Sequence, residues 1–177
     1  MPNWCVGNIR FRGKINDIMR LLQENVVVCR YSDEQDENDF HKIEKYESIV
    51  DPAVGDDGVI EEITISTDKD KSWFYIKGTN RNFISMMASR IDITDVYEMN
   101  DGDYIVILDD FQAAWSIEAE PYVEMSKKYM VDIHIFGWER GVEFDQEIEI
   151  IRGNLTKNFG HGGKNWLWET AMPYFGG

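Results

Sequence analysis

Two cysteines, Cys5 and Cys29, and four prolines are all that the 177 residues contain. So few cysteines make no disulfide framework, which excludes the small cross-linked scaffolds of the extracellular space. No apolar run approaches the ~18 residues of a membrane-crossing helix; the longest are pieces such as YIVIL at 104–108. Neither a basic patch nor an apolar leader precedes Trp4. A secretory signal is therefore not expected, and the thiols are read as reduced in a cytoplasmic chain. Asn154-Leu155-Thr156 matches a glycosylation acceptor that such a chain would not use. Catalytic motifs are equally thin. There is no G-x-S-x-G elbow, no G-x-x-x-x-G-K-[ST] phosphate loop and no Cys/His set at zinc spacing.

Bases are scarce where acids crowd. Thirty-three Asp and Glu against 18 Lys and Arg leave a net charge of −15. Residues 1–32 carry five bases and two acids, residues 33–70 carry three bases and fourteen acids, and residues 91–126 carry ten acids and no base. Nucleic-acid backbones and anionic membranes reward Lys and Arg, so this balance disfavours direct binding to either. It favours a partner with a positive surface.

What is present suffices for a core: 43% of the residues are hydrophobic and 13% aromatic, in a length suited to one domain or two small ones. Cys5, Ile9 and Phe11 alternate with polar residues as in a half-buried strand, with Gly7 at a bulge position. Asn16 is placed to cap a helix in which Ile15, Ile18, Met19 and Leu22 share a face, and VVVCRY at 26–31 is the next strand. Residues 32–58 interrupt as an acidic insert, within which 39–50 has the length for a short helix. VIEEITIST and WFYIKGT read as strands. A helix is expected after Asn80, with Phe83, Met87 and Ile91 in a stripe beside Ile84 and Ala88. YIVIL is a strand. Pro121 opens a helix ending near Met130. Residues 131–151 read as two strands around WERG, in a register that pairs Ile135 with Phe144 and Val131 with Ile148 and sets His134 opposite Asp145. The expected class is α+β: an antiparallel sheet with helices on one face, as a core over 1–110 with the insert 32–58, then an α-β-β unit and an aromatic, glycine-rich tail over 111–177.

Glu143, Asp145, Glu147 and Glu149 alternate with apolar residues, and same-face residues of a strand lie roughly 6.5–7 Å apart. That spacing sets four carboxylates in a row, comparable to successive phosphates, with Asp132 on the same face. The alternative is a solvated sheet face that serves solubility. Asp33, Glu34, Asp36, Glu37 and Asp39 form a second acidic group. They miss the alternate-acid register and sixth-position glycine of a calcium loop, so they are read as a partner-docking or solvated segment. Trp73, Phe74 and Tyr75 among Lys69, Lys71, Lys77 and Arg81 could form a basic-aromatic patch, although sheet packing explains them more simply. No catalytic set, cofactor site or metal site is expected.

M-P-N-W-C at the start, F-x-x-A-W-S at 111–116 and E-x-G-x-x-F at Glu139, Gly141 and Phe144 resemble the YubB-like ferredoxin-fold family of plasmid and phage proteins. The acidic 32–58 segment departs from that family, and Ile117 stands where a proline is more usual. The resemblance implies a ferredoxin-like core and residence on a mobile element, and it implies no reaction. Together these observations lead to the expectation of a non-enzymatic acidic binding protein. It would occupy the basic nucleic-acid-binding surface of a host protein, such as a restriction or CRISPR effector, as a nucleic-acid mimic. The alternatives are a divalent-metal enzyme of nuclease type, built on clustered carboxylates, and a structural or assembly protein of a phage or plasmid.

Overall fold

The computed structural model describes residues 3–35, 41–70, 72–85, 88–139, 141, 143–162 and 165. Its first strand, β1 (Trp4–Gly13), turns Cys5, Ile9 and Phe11 inward. A Cβ on Gly7 would stand 1.9 Å from the Phe136 carbonyl oxygen, so only glycine lets the neighbouring backbone come this close. The pairing register shifts between Gly7 and Ile9, as the bulge requires. Helix α1 (Ile15–Asn25) buries Ile18, Leu21 and Leu22; Lys14 is its N-cap and makes no side-chain cap bond, while the expected cap Asn16 lies inside the first turn.

The chain continues through β2 (Val26–Gln35), β3 (His41–Glu47), β4 (Ile49–Val54), β5 (Ile60–Ser66), β6 (Ser72–Ile76), β7 (Asn82–Ser85), β8 (Arg90–Ile93), β9 (Val96–Glu98) and β10 (Tyr104–Ala114). Helix α2 (Glu120–Tyr129), β11 (Asp132–Glu139), β12 (Phe144–Ile151) and β13 (Asn154–Gly162) complete it. One large sheet runs β13-β12-β11-β1-β10-β7-β6-β2-β3, with β9 beside β10, and a smaller one runs β4-β5-β8. Every neighbouring pair is antiparallel. β10 and β11 therefore run the same way on either side of β1, and α2 is the crossover between them.

The two helices touch each other, and the smaller sheet lies against α1 through β4. Their buried residues, among them Leu22, Tyr122, Ile63 and Ile65, join one cluster with Ile9, Val28, Phe74, Val106 and Ile135 of the large sheet. Burial pushes the Cys5 thiol up to about 12, with Glu139 and Asp145 adding to the effect, so it behaves as a core hydrophobe. The large sheet's second face, bearing Trp4, Arg10, His134, Glu147, Trp73 and Tyr75, is only partly buried and forms an open face. Among the described residues no helix is long and apolar enough to cross a membrane.

The expected ferredoxin-like α+β core with helices on one face is corrected. Strands make up 60% of the structure and helix 15%, so the fold is a β-rich antiparallel sheet. The stretch after Asn80 is the main reason. Phe83 pairs with Tyr75 and Gln112, and Ile91 pairs with Ile65, so neighbouring strands claim residues whose spacing also suits a helix. The segment 39–50 likewise gives β3 and the start of β4, and its alternating charges suit an exposed sheet edge. Strand β13 was not foreseen. The 1–110 and 111–177 segments share the large sheet, because β1 pairs with both β10 and β11.

Candidate functional site

The acidic row sits on β12, second from the edge of the large sheet. The hairpin closes with Glu139 opposite Phe144, which pairs Ile135 with Ile148 rather than with Phe144. The register is displaced by four residues from the expected one because β11 extends through Trp138 to Glu139 before turning. An even displacement keeps each side chain on its face. His134 consequently stands opposite Glu149, and not opposite Asp145.

Glu143 is not part of the row. It is exposed in the turn before β12, with a φ of 53°. The other three carboxylates share the open face, and each has a partner from an adjacent strand. Asp145 is 3% exposed and lies 2.7 Å from His161 Nδ1 on β13. Glu147 Oε1 is 2.9 Å from both His134 Nε2 and Lys157 Nζ. Partial burial works to raise the Glu147 pKa, but the bonds from His134 and Lys157 outweigh it and hold the carboxyl below its ordinary range. The ionised carboxylate accepts, so His134 Nε2 carries the proton; its buried Nδ1 has no partner among the described residues. Glu149 accepts a 2.7 Å bond from the Thr156 hydroxyl.

Asp132 is 7% exposed. It takes a 2.6 Å contact from Arg12 and one of 3.2 Å from Arg152, and accepts the Arg152 backbone N–H. It ties β1, β11 and the turn at Arg152 together and is not available to a partner. Of the four carboxylates expected in a row, three share the open face and each is bonded to a neighbouring strand. A strand inside a sheet meets side chains from both neighbours, and here β11 and β13 supply His134, Lys157 and His161. Asp33 and Glu34 fall near the end of β2, and Asp36, Glu37 and Asp39 lie outside the described residues.

Beside the row is a shallow depression of about 230 Å³ lined by Arg10, Arg12, Asp132, His134 and Glu149 among others. Its charges balance, and it is smaller than most small-molecule pockets, which run to roughly 300–1,000 Å³. Among the described residues no three His, Cys, Asp or Glu side chains are grouped so as to hold a metal ion.

A different acidic group draws no cation from its own stretch of sequence, and Arg10 of β1 is the one that acts on Asp109. Asp95, just before β9, and Asp109 and Asp110, in β10, come together where the sequence holds no base from 91 to 126. Loss of water raises the Asp109 pKa, and the charges of Asp95 and Asp110 raise it further against a lowering by Arg10. The Tyr97 hydroxyl donates to Asp95 at 2.6 Å, and this bond raises the Tyr97 pKa. The baseless stretch signalled this group in the sequence, but the pairing of β9 with β10 that assembles it did not show there. Lys157 and His161 were missed as well, although the alternation Leu155, Lys157, Phe159, His161 carries the period of a strand.

No family model, curated protein or solved structure matches the chain.

Proposed function

We propose that the chain is a non-enzymatic acidic binding protein that docks on a basic, nucleic-acid-binding surface of another protein in the cytoplasm. The observation that carries this reading is the clustering of Asp95, Asp109 and Asp110 within a 36-residue stretch of ten acids and no base. Like charges held close enough to raise a carboxyl pKa repel one another, and a cationic surface relieves that repulsion on binding. Net charge of −15 steers such a partner toward the chain from a distance. The similarity of M-P-N-W-C and the later segments to plasmid and phage proteins supports residence on a mobile element, with a host restriction or CRISPR effector as the kind of partner. Docking is assigned to the β9–β10 acids and not to the β12 row, whose carboxylates are already bonded to side chains of β11 and β13.

Capture from a cytoplasmic extract at low and high salt tests the reading. A basic nucleic-acid-binding protein retained at low salt, released at high salt and displaced by its own nucleic acid is the expected result. Retention that survives high salt, or that requires added magnesium or manganese, contradicts it.

A further inference from the structure

The net charge conceals a strong local asymmetry. Residues 1–16 carry three bases and no acid, and residues 71–91 carry four bases and no acid, immediately before the baseless acidic stretch. The fold brings these two acid-free segments together: β1 and β7 flank β10, and Trp4 meets Phe83 edge-on with ring centroids 5.7 Å apart. Arg81 lies 5.5 Å over the Trp4 ring.

The contact belongs to a larger aromatic patch on the open face. Tyr75 meets Phe83 at 5.7 Å, and Tyr31 meets Trp73 at 5.0 Å. Lys45 on β3 lies 5.4 Å over Tyr75. Tyr31 is 57% exposed, and Trp115, whose N–H bonds to the Asn3 carbonyl beside Trp4, is 59% exposed. Glu47, separated from Tyr75 by Val27 in the register, marks the acidic margin. Neither helix and no strand of the smaller sheet covers this face, because they share the core on the other side.

Half-exposed rings on a rigid sheet, flanked by cations, match the chemistry of bases that stack while their phosphates meet Lys and Arg. We propose that this face, over β2, β6, β7 and β1, binds single-stranded nucleic acid, with bases stacked on Tyr31 and Trp73 and phosphates on Lys45 and Arg81. A duplex hides its base faces and presents only phosphates, which the acidic remainder of the molecule repels, so the site discriminates against it. The inference goes beyond docking by the β9–β10 acids and does not depend on it.

Fluorescence anisotropy of a labelled oligothymidylate of about ten nucleotides, a length within the usual span of such sites, tests the proposal on the full chain. Binding is expected at low ionic strength, with log K falling against log salt at a slope of about −1.4, for two phosphates at ~0.7 each. Tyr31→Ala and Lys45→Glu, at exposed positions, are each expected to weaken it, the first by about fivefold or more, the scale of one lost base stack. Circular dichroism verifies that both variants keep the fold. Asp95→Asn combined with Asp109→Asn and Asp110→Asn is expected to leave this binding intact or tighten it, which separates it from the docking of a basic protein. Absence of binding, indifference to both folded variants, equal competition by duplex DNA, or displacement by polyglutamate as readily as by the unlabelled strand each overturns it.

Discussion

At the scale of single residues, buried polar groups fix the packing. The Asn82 amide donates a 2.7 Å bond to the Tyr122 hydroxyl, with Asn82 1% and Tyr122 0% exposed. Removing that hydroxyl strands a buried donor, so Tyr122→Phe is expected to cost about 1–3 kcal/mol in chemical denaturation. Asp109 gives the opposite sign. Its carboxyl is raised by loss of water and by Asp95 and Asp110, so the folded state disfavours the charged form. A raised carboxyl contributes stability while protonated and loses it as pH rises through the folded value. Asp109→Asn is therefore expected to melt at a higher temperature than the parent near neutral pH. The difference should vanish below the ordinary aspartate value of 3.8, where both side chains are uncharged. An unchanged neutral-pH melting temperature would mean that the aspartates do not strain one another. Cys5 and Asp132 show what one position can reveal in sequence. The strand alternation marked Cys5 as core, whereas Asp132 is made structural by two arginines distant in sequence, Arg12 on β1 and Arg152 in the turn after β12.

At the scale of elements, periodicity was readable where one period dominated. β1, β10 and α2 follow their alternation or helical face, and Pro121 marks the start of α2. It misled over 82–93, where the same apolar residues satisfy a helical stripe and two strands, and the partners Tyr75, Gln112 and Ile65 decide. Two junctions offer tests. α2 ends on Met130 in the left-handed region at φ 57°, 51% exposed. Glycine lacks the Cβ that makes this conformation costly, so Met130→Gly is expected to stabilise by about 1 kcal/mol in denaturant titration. Gly7→Ala should do the reverse, because its Cβ would meet the backbone of Phe136 at 1.9 Å and force β1 away from β11. A loss above about 3 kcal/mol or failure to fold is expected, judged by far-UV circular dichroism and melting, since backbone clashes are not relieved by rotamer changes. An alanine variant as stable as the parent would contradict the close approach of the two strands.

At the scale of the whole molecule, total charge was legible and its placement was not. The sequence shows acids in blocks; pairing of strands far apart in the chain decides which blocks are answered. β11 and β13 bond the carboxylates of β12 through His134, Lys157, His161 and Thr156, while the pairing of β9 with β10 gathers Asp95, Asp109 and Asp110 without a cation of their own segment. Acid-free segments meet elsewhere on the open face. Binding to a basic partner is proposed to run through the β9–β10 acids. Its most direct measurement compares two variants for retention of that partner across a salt series: Asp95→Asn with Asp109→Asn and Asp110→Asn, against Glu147→Gln with Glu149→Gln. The first is expected to lose the partner, together with most of the salt dependence, and the second to retain it. Retention by the first with loss by the second would contradict it.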